Sequence, residues 1–211
     1  MKKIYFIILV MFSVVSVSGI DSVRAADWRF PFGYTFISGV SDMVDVYENN
    51  LEEEGYDVDT TFMGYGGIAF NPYVELDMGL RLGLGLGPAI IVLMNEADHF
   101  ELPVSANIGW SILPNHNISP YFRGGISYHI ASGTYVVESK PGLMGAVGIE
   151  FSRKRRVGFG LELGIDTAEI ELEKRRCHEG SSGWYSYCNT VTAGTETINS
   201  VGTMISVFAV F

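Results

Sequence analysis

Val74-Glu75-Leu76-Asp77-Met78-Gly79-Leu80-Arg81-Leu82-Gly83-Leu84-Gly85-Leu86-Gly87 is the stretch whose reading decides the fold. Apolar residues fall at every even position. Glu75, Asp77, Arg81 and glycines fill the odd ones. Side chains of a strand point alternately to opposite faces, so this reads as one long strand from Val74 to Gly87. It is longer than the roughly 5–6 residues of an ordinary soluble strand, and long enough for a tilted bilayer crossing of about 9–11. A soluble barrel turns its apolar face inward and carries Lys, Glu and Thr outside. Here the second face is glycine with a few charges, which suits the interior of a narrow barrel, and the leucines suit lipid. Charged residues are only 18% of the chain, low beside the ~25–35% of a water-exposed surface.

The pattern recurs on either side. Seven further strands are expected, near 30–38, 60–70, 101–110, 121–131, 143–152, 157–168 and 200–211. Their outward positions include Phe32, Tyr34, Ile108, Ile126, Val147, Leu161, Leu163, Ile205 and Val207. Short turns are expected at 71–73, 113–119 and 153–156, and longer loops at 39–59, 88–100, 132–142 and 169–199. Short periplasmic turns opposite longer extracellular loops are the outer-membrane arrangement, and they leave both termini periplasmic. Trp28, Phe30, Tyr73, Trp110 and Tyr121 are expected in an interfacial aromatic girdle.

Met1-Lys2-Lys3, an apolar run to about Val17 and Val23-Arg24-Ala25 read as a cleaved signal peptide, residues 1–25. The barrel domain is then 26–211. Cleavage takes Lys2, Lys3 and Arg24 against Asp21, leaving 11 Lys/Arg and 23 Asp/Glu, a net charge of −12. That balance argues against nucleic acid as a partner. Cys177 and Cys188 are the only cysteines, and in an exported chain they read as one disulfide.

The chain ends Ile205-Ser206-Val207-Phe208-Ala209-Val210-Phe211, with apolar residues alternating up to a terminal aromatic. With the strand pattern, this resembles the small Gram-negative outer-membrane β-barrels, the OmpA-type transmembrane barrel and its relatives. The resemblance implies an all-β, eight-stranded antiparallel up-and-down transmembrane barrel. It also implies that Phe211 closes a signal read by the barrel assembly machinery and its periplasmic chaperones.

Strand parity places Arg29, Glu75, Asp77, Arg81, Arg123, His129, Glu150, Glu162 and Asp166 inside the barrel. Buried charges must be paired, so a salt-bridge network plugging the lumen is expected in preference to an ion path. Ser127 and His129 are the types of a nucleophile and base, as in an outer-membrane lipid A deacylase. The order is reversed from that enzyme's and both face inward, so catalysis is not expected. The acidic segment Asp42 to Asp59 carries Val40, Met43, Val44, Tyr47 and Leu51 at helical spacing, predicting a short helix with Ser41 as its N-cap. Its carboxylates match no EF-hand series and read as a solvated face, so neither a metal nor a cofactor is expected. Lys174, Arg175, Arg176, Trp184 and Tyr185 are candidates for binding a surface ligand or protein. The Arg153–Arg156 turn is expected to touch periplasmic-leaflet phosphates.

These readings predict an outer-membrane barrel with a structural or surface-interaction role, in envelope integrity or adhesion, among outer-membrane lipid and lipopolysaccharide. The alternatives are a porin-like channel for small or hydrophobic solutes, which needs a cavity and a lateral opening, and a lipid-modifying envelope enzyme. A soluble lipocalin-like barrel is the alternative fold.

Overall fold

The computed structural model describes residues 26–58, 60–63, 66–182 and 185–211. The proposed signal peptide and Trp184 lie outside them, as do the side chains of Tyr185 and Cys188. In chain order the elements are β1 (Ala26–Arg29), β2 (Pro31–Ile37), α1 (Val40–Glu53), β3 (Thr60–Met63), β4 (Gly66–Phe70) and β5 (Tyr73–Leu76). There follow β6 (Leu80–Leu86), β7 (Ile90–Met94), β8 (Asp98–Ser111), β9 (Ile118–Gly133) and β10 (Val136–Lys140). The last are β11 (Gly142–Phe151), β12 (Gly158–Asp166), β13 (Glu169–Ser182), β14 (Tyr185–Ile198) and β15 (Thr203–Val210).

Antiparallel pairing runs β2-β4-β6-β8-β9-β11-β12-β15 and returns from β15 to β2, so eight wall strands close a barrel. Several wall strands continue past a break: β1 leads into β2, β3 into β4 and β5, β6 into β7, β12 into β13, and β14 into β15. The outer surface is apolar. Ile68, Ile126, Leu143 and Val147 are all 58% exposed or more, beside Phe32, Phe36, Phe122, Phe159, Ile205 and Val207. A continuous belt of this kind around a closed barrel is what lipid, not water, stabilises. No described helix is long and apolar enough to cross a membrane.

The segment that decides the fold is not one strand. β5 and β6 are the two arms of a hairpin turning at 77–79, where Gly79 has φ +89° and donates its N–H to the Leu76 carbonyl at 2.7 Å. Only glycine adopts that φ without strain. The expected turn at 71–73 is instead part of the wall: Asn71 N–H donates to the Pro31 carbonyl. Much of the expected loop 88–100 is wall too, since β7 and β8 pair directly above residues 95–97. Asp77 therefore lies exposed in a turn, not in the lumen. Tyr73 and Tyr121 point inward, at 7% and 4% exposure, and do not join the outer girdle that Trp28, Phe30 and Trp110 occupy.

The two ends differ. At the terminal end, where Arg29 and Phe211 lie, the turns are short. At the other end β13 and β14 form a long hairpin that joins β10 in a three-stranded sheet. Helix α1 fills the mouth beneath it. Val40, Met43, Val44, Tyr47 and Leu51 are buried against Ile90, Val92, Tyr135, Ile170, Leu172 and Val201, forming the main apolar core. The helix starts one residue before Ser41. Its N-cap is Gly39, with no side-chain cap, and a Cβ there would collide with the Asn199 and Ser200 backbone. Close approach to the segment between β14 and β15 fixes that residue type, and Ser41 is not the cap.

Candidate functional site: the barrel interior

Beneath the apolar plug the lumen is filled by three polar layers. The first lies toward the terminal end. Arg81 from β6 meets Glu150 from β11 in a bidentate pair, Nη1 to Oε1 at 2.9 Å and Nη2 to Oε2 at 3.0 Å. Its Nε reaches Glu75 Oε2 at 3.1 Å and Ser111 Oγ at 2.5 Å. The Arg81 guanidinium sits between the Tyr73 and Tyr121 rings, 4.4 and 4.2 Å from their centroids. Such stacking favours Arg over Lys. Tyr73 OH donates to Glu150 at 2.8 Å. A second cation closes the layer: Arg153 Nη2 lies 2.5 Å from Glu75 and its Nε 2.9 Å from Glu150. Two carboxylates and two guanidiniums balance, as burial in low dielectric requires. Arg153 is 5% exposed, so this member of the 153–156 turn is in the lumen and not free for leaflet phosphates.

The second layer is Arg123 with Glu162, joined by two hydrogen bonds of 2.8 and 2.7 Å, and Tyr121 OH donates to Glu162 at 2.7 Å. Inner-face glycines make room for these rings. A Cβ at Gly148 would collide with Tyr121, and one at Gly160 with Phe208.

The third layer leads up to the plug. Ser127 Oγ donates to Asp166 Oδ1 at 2.6 Å. His129 lies between two carboxylates, its Nδ1 2.6 Å from Glu101 and its Nε2 3.4 Å from Asp166. Glu101 also accepts from Ser200 Oγ at 2.5 Å and meets His99 Nε2 at 3.2 Å. His99 Nδ1 in turn lies 3.1 Å from Tyr47 OH on α1. Burial pushes the Tyr47 hydroxyl up, so it stays protonated. Ser127 and His129 thus share Asp166 but do not meet as nucleophile and base. Both are buried, at 3% and 0% exposure.

Parity alone did not single out Glu101, His99, Arg153, Tyr73 or Tyr121. Glu101 stood at the edge of an expected strand and Arg153 in an expected turn. Arg29 sits at the rim with Asp27 at 2.5 Å, its side chain 19% exposed.

Outside the lumen, α1 grips the hairpin. Asn50 Nδ2 donates to the Glu173 carbonyl at 2.7 Å, Arg175 N–H donates to Asn50 Oδ1 at 2.8 Å, and Cys177 N–H donates to Glu53 at 2.6 Å. Helix side chains thereby cover backbone groups along an edge of β13 that would otherwise be bare. Of the expected loop ligands, Lys174 pairs with Glu196 at 2.7 Å and Arg175 with Glu173 at 2.9 Å, while Arg176 is exposed. No described cysteine is free, and the expected partner of Cys177 lies outside the described side chains. Among the described residues no cluster of His, Cys, Asp and Glu is arranged to hold a metal.

No protein-family model and no curated protein matches the chain. Solved structures do resemble it. Outer membrane protein OprG from Pseudomonas aeruginosa is similar over 88% of this chain and 95% of that one, with a TM-score of 0.53 at 10% identity. Neisserial surface protein A is similar over 89% and 97%, with a TM-score of 0.42 at 10% identity. At this identity the OprG likeness speaks to the fold alone, and the fold is that of a small eight-stranded outer-membrane barrel.

Proposed function

We propose that this chain is an outer-membrane barrel closed to solutes, anchoring a stiff head that serves surface interaction or envelope integrity. The terminal end faces the periplasm and the head, α1 with the β10–β13–β14 sheet, faces outward. A disulfide between Cys177 and Cys188 completes the hairpin, and lipopolysaccharide surrounds its base. The observation that carries this reading is the lumen. Balanced ion pairs occupy its lower part and the α1 core fills its mouth, which supports a lumen closed to solutes. No enzymatic role is proposed. The test is single-channel conductance of the refolded chain in a planar bilayer, with heat-modifiability on gels as the folding control. A folded, silent barrel is expected; discrete reproducible steps overturn closure.

One observation favours transport of apolar compounds as a second reading. Between β4 and β6 only Phe70 and Leu86 are in register, and Gly87 donates its N–H to the Pro103 carbonyl on β8. Pro88 has no N–H to offer β4. This seam lies beside a small lumenal cavity lined by Ala69, Pro88, Ser105 and Met204. Uptake of an apolar solute by cells making the protein, abolished by closing the seam, distinguishes this reading from the first.

A further inference from the structure

We propose that the cup at the terminal end of the barrel binds the phosphate-bearing headgroup of a phospholipid. The cup has a volume of about 720 Å³, within the roughly 300–1,000 Å³ of small-ligand sites. Its floor is electrically settled: Arg153 is held by Glu75 and Glu150, and Arg29 by Asp27. Its rim is not. Lys154, Arg155 and Arg156 are exposed around the cup and pair with no described carboxylate. Apart from Arg176, every other described Lys or Arg is in an ion pair. In a chain of net charge −10, three of the four unpaired described cations are thus gathered on one turn. Of the lining Asp and Glu side chains, Asp77 alone has no cation.

The turn is held in place. Ser152 has φ +58°, a conformation that a non-glycine residue keeps only where its surroundings impose it. Arg155 N–H donates to the Ser152 carbonyl at 2.9 Å, and Arg153 N–H to the Asn117 carbonyl at 3.2 Å. With the Arg153 side chain locked in the lumen, the three cations that follow have a fixed base. Guanidinium pairs match phosphate oxygens in geometry and charge.

The lining beside the turn is apolar. Val210 is in register with Gly158 just past the turn, so Phe211 lies next to it; Phe211 and Trp28 line the cup at 56% and 46% exposure, and Trp28 stacks on Phe30 at 6.3 Å. The lipid-facing belt therefore runs into the cup. An amphiphile uses both halves, its phosphate on the cations and its chains down the aromatic wall, whereas free phosphate uses only one. Assigning the lipid to the periplasmic leaflet rests on the orientation proposed above; the site itself does not.

The test is native mass spectrometry of the full folded chain in detergent, titrated with phosphatidylglycerol and with diacylglycerol. The variant is Lys154→Gln/Arg155→Gln/Arg156→Gln, with Arg155→Glu as a milder second. Retention of one phosphatidylglycerol is expected, weakened about tenfold or more in both variants because charge-assisted contacts are lost, with no retention of diacylglycerol. Equal retention by the variants, or of diacylglycerol, overturns the site. Displacement by excess inorganic phosphate overturns the lipid as ligand. Orientation is read separately by labelling in intact cells, so its failure leaves this measurement interpretable.

Discussion

Arg81 and Glu150 face each other across the lumen from β6 and β11, two wall strands separated by β8 and β9, and join through two parallel hydrogen bonds. Breaking one side leaves an uncompensated buried charge. Arg81→Met is expected to cost about 3–5 kcal/mol, whereas the double change Arg81→Met/Glu150→Met costs much less because neither charge remains. Urea unfolding in lipid vesicles checks both. A double variant as unstable as the single one contradicts the pairing.

Among the described residues, His129 is the basic side chain that meets both Glu101 and Asp166. His129→Phe leaves two buried carboxylates facing each other, and a loss of about 3 kcal/mol or more is expected. Ser127→Ala removes one donor to Asp166 and is expected to cost only about 1 kcal/mol. The lipid A of cells carrying Ser127→Ala should have unchanged acylation by mass spectrometry. A changed pattern would reinstate the catalytic reading.

Much of this was written in the alternation of side chains, and the main misreading came from the same source. Glu75 and Arg81 stand opposite each other in the β5–β6 hairpin. They are an even number of residues apart, so the chain reverses at 77–79 without changing which face is apolar. A period-2 pattern cannot register such a turn. Gly79 was its only mark, and it was lost among the glycines that clear space for lumenal rings. Ile90-Ile91-Val92-Leu93-Met94 failed for another reason. Near the mouth the lumen itself is apolar, packed on α1, so both faces of β7 are hydrophobic and alternation vanishes. Tyr73 and Tyr121 carry both an apolar ring and a hydroxyl, and either position suits them. Only their partners, Glu150 and Glu162, decide it.

Orientation is open to a direct check. In a Cys177→Ser/Cys188→Ser background, a single cysteine at Thr134, in the tight turn between β9 and β10, should react with a membrane-impermeant maleimide on intact cells. One at Asn115, beside the cup, should react only after the outer membrane is permeabilised. The opposite pattern inverts the proposed topology.

Asn50 is 2% exposed and serves both a carbonyl and an amide of β13. Asn50→Ala is expected to cost about 1–3 kcal/mol locally, since two buried backbone groups lose their partner. Limited proteolysis should then cut the β13–β14 hairpin earlier while the barrel stays heat-modifiable. Unchanged cleavage would mean that the helix does not hold the hairpin.

A main-chain oxygen of Phe211 accepts from Phe30 N–H at 3.1 Å, tying the last residue to the chain just before the first wall strand. Phe211→Ser should lower the amount of heat-modifiable barrel in the outer-membrane fraction, more than it lowers the stability of protein refolded in vitro. Equal effects on both would remove the assembly role.

Helix α1 is encoded between the first and second wall strands, but much of the surface it seats on is supplied by β13, Ile198 and Val201 near the chain's other end. The stopper is made first and the bottleneck last. Before the β13–β14 hairpin is in place the helix has only part of its apolar cover, including Ile37, Ile90, Val92, Met94 and Tyr135, so its full seating is expected to coincide with sealing of the wall.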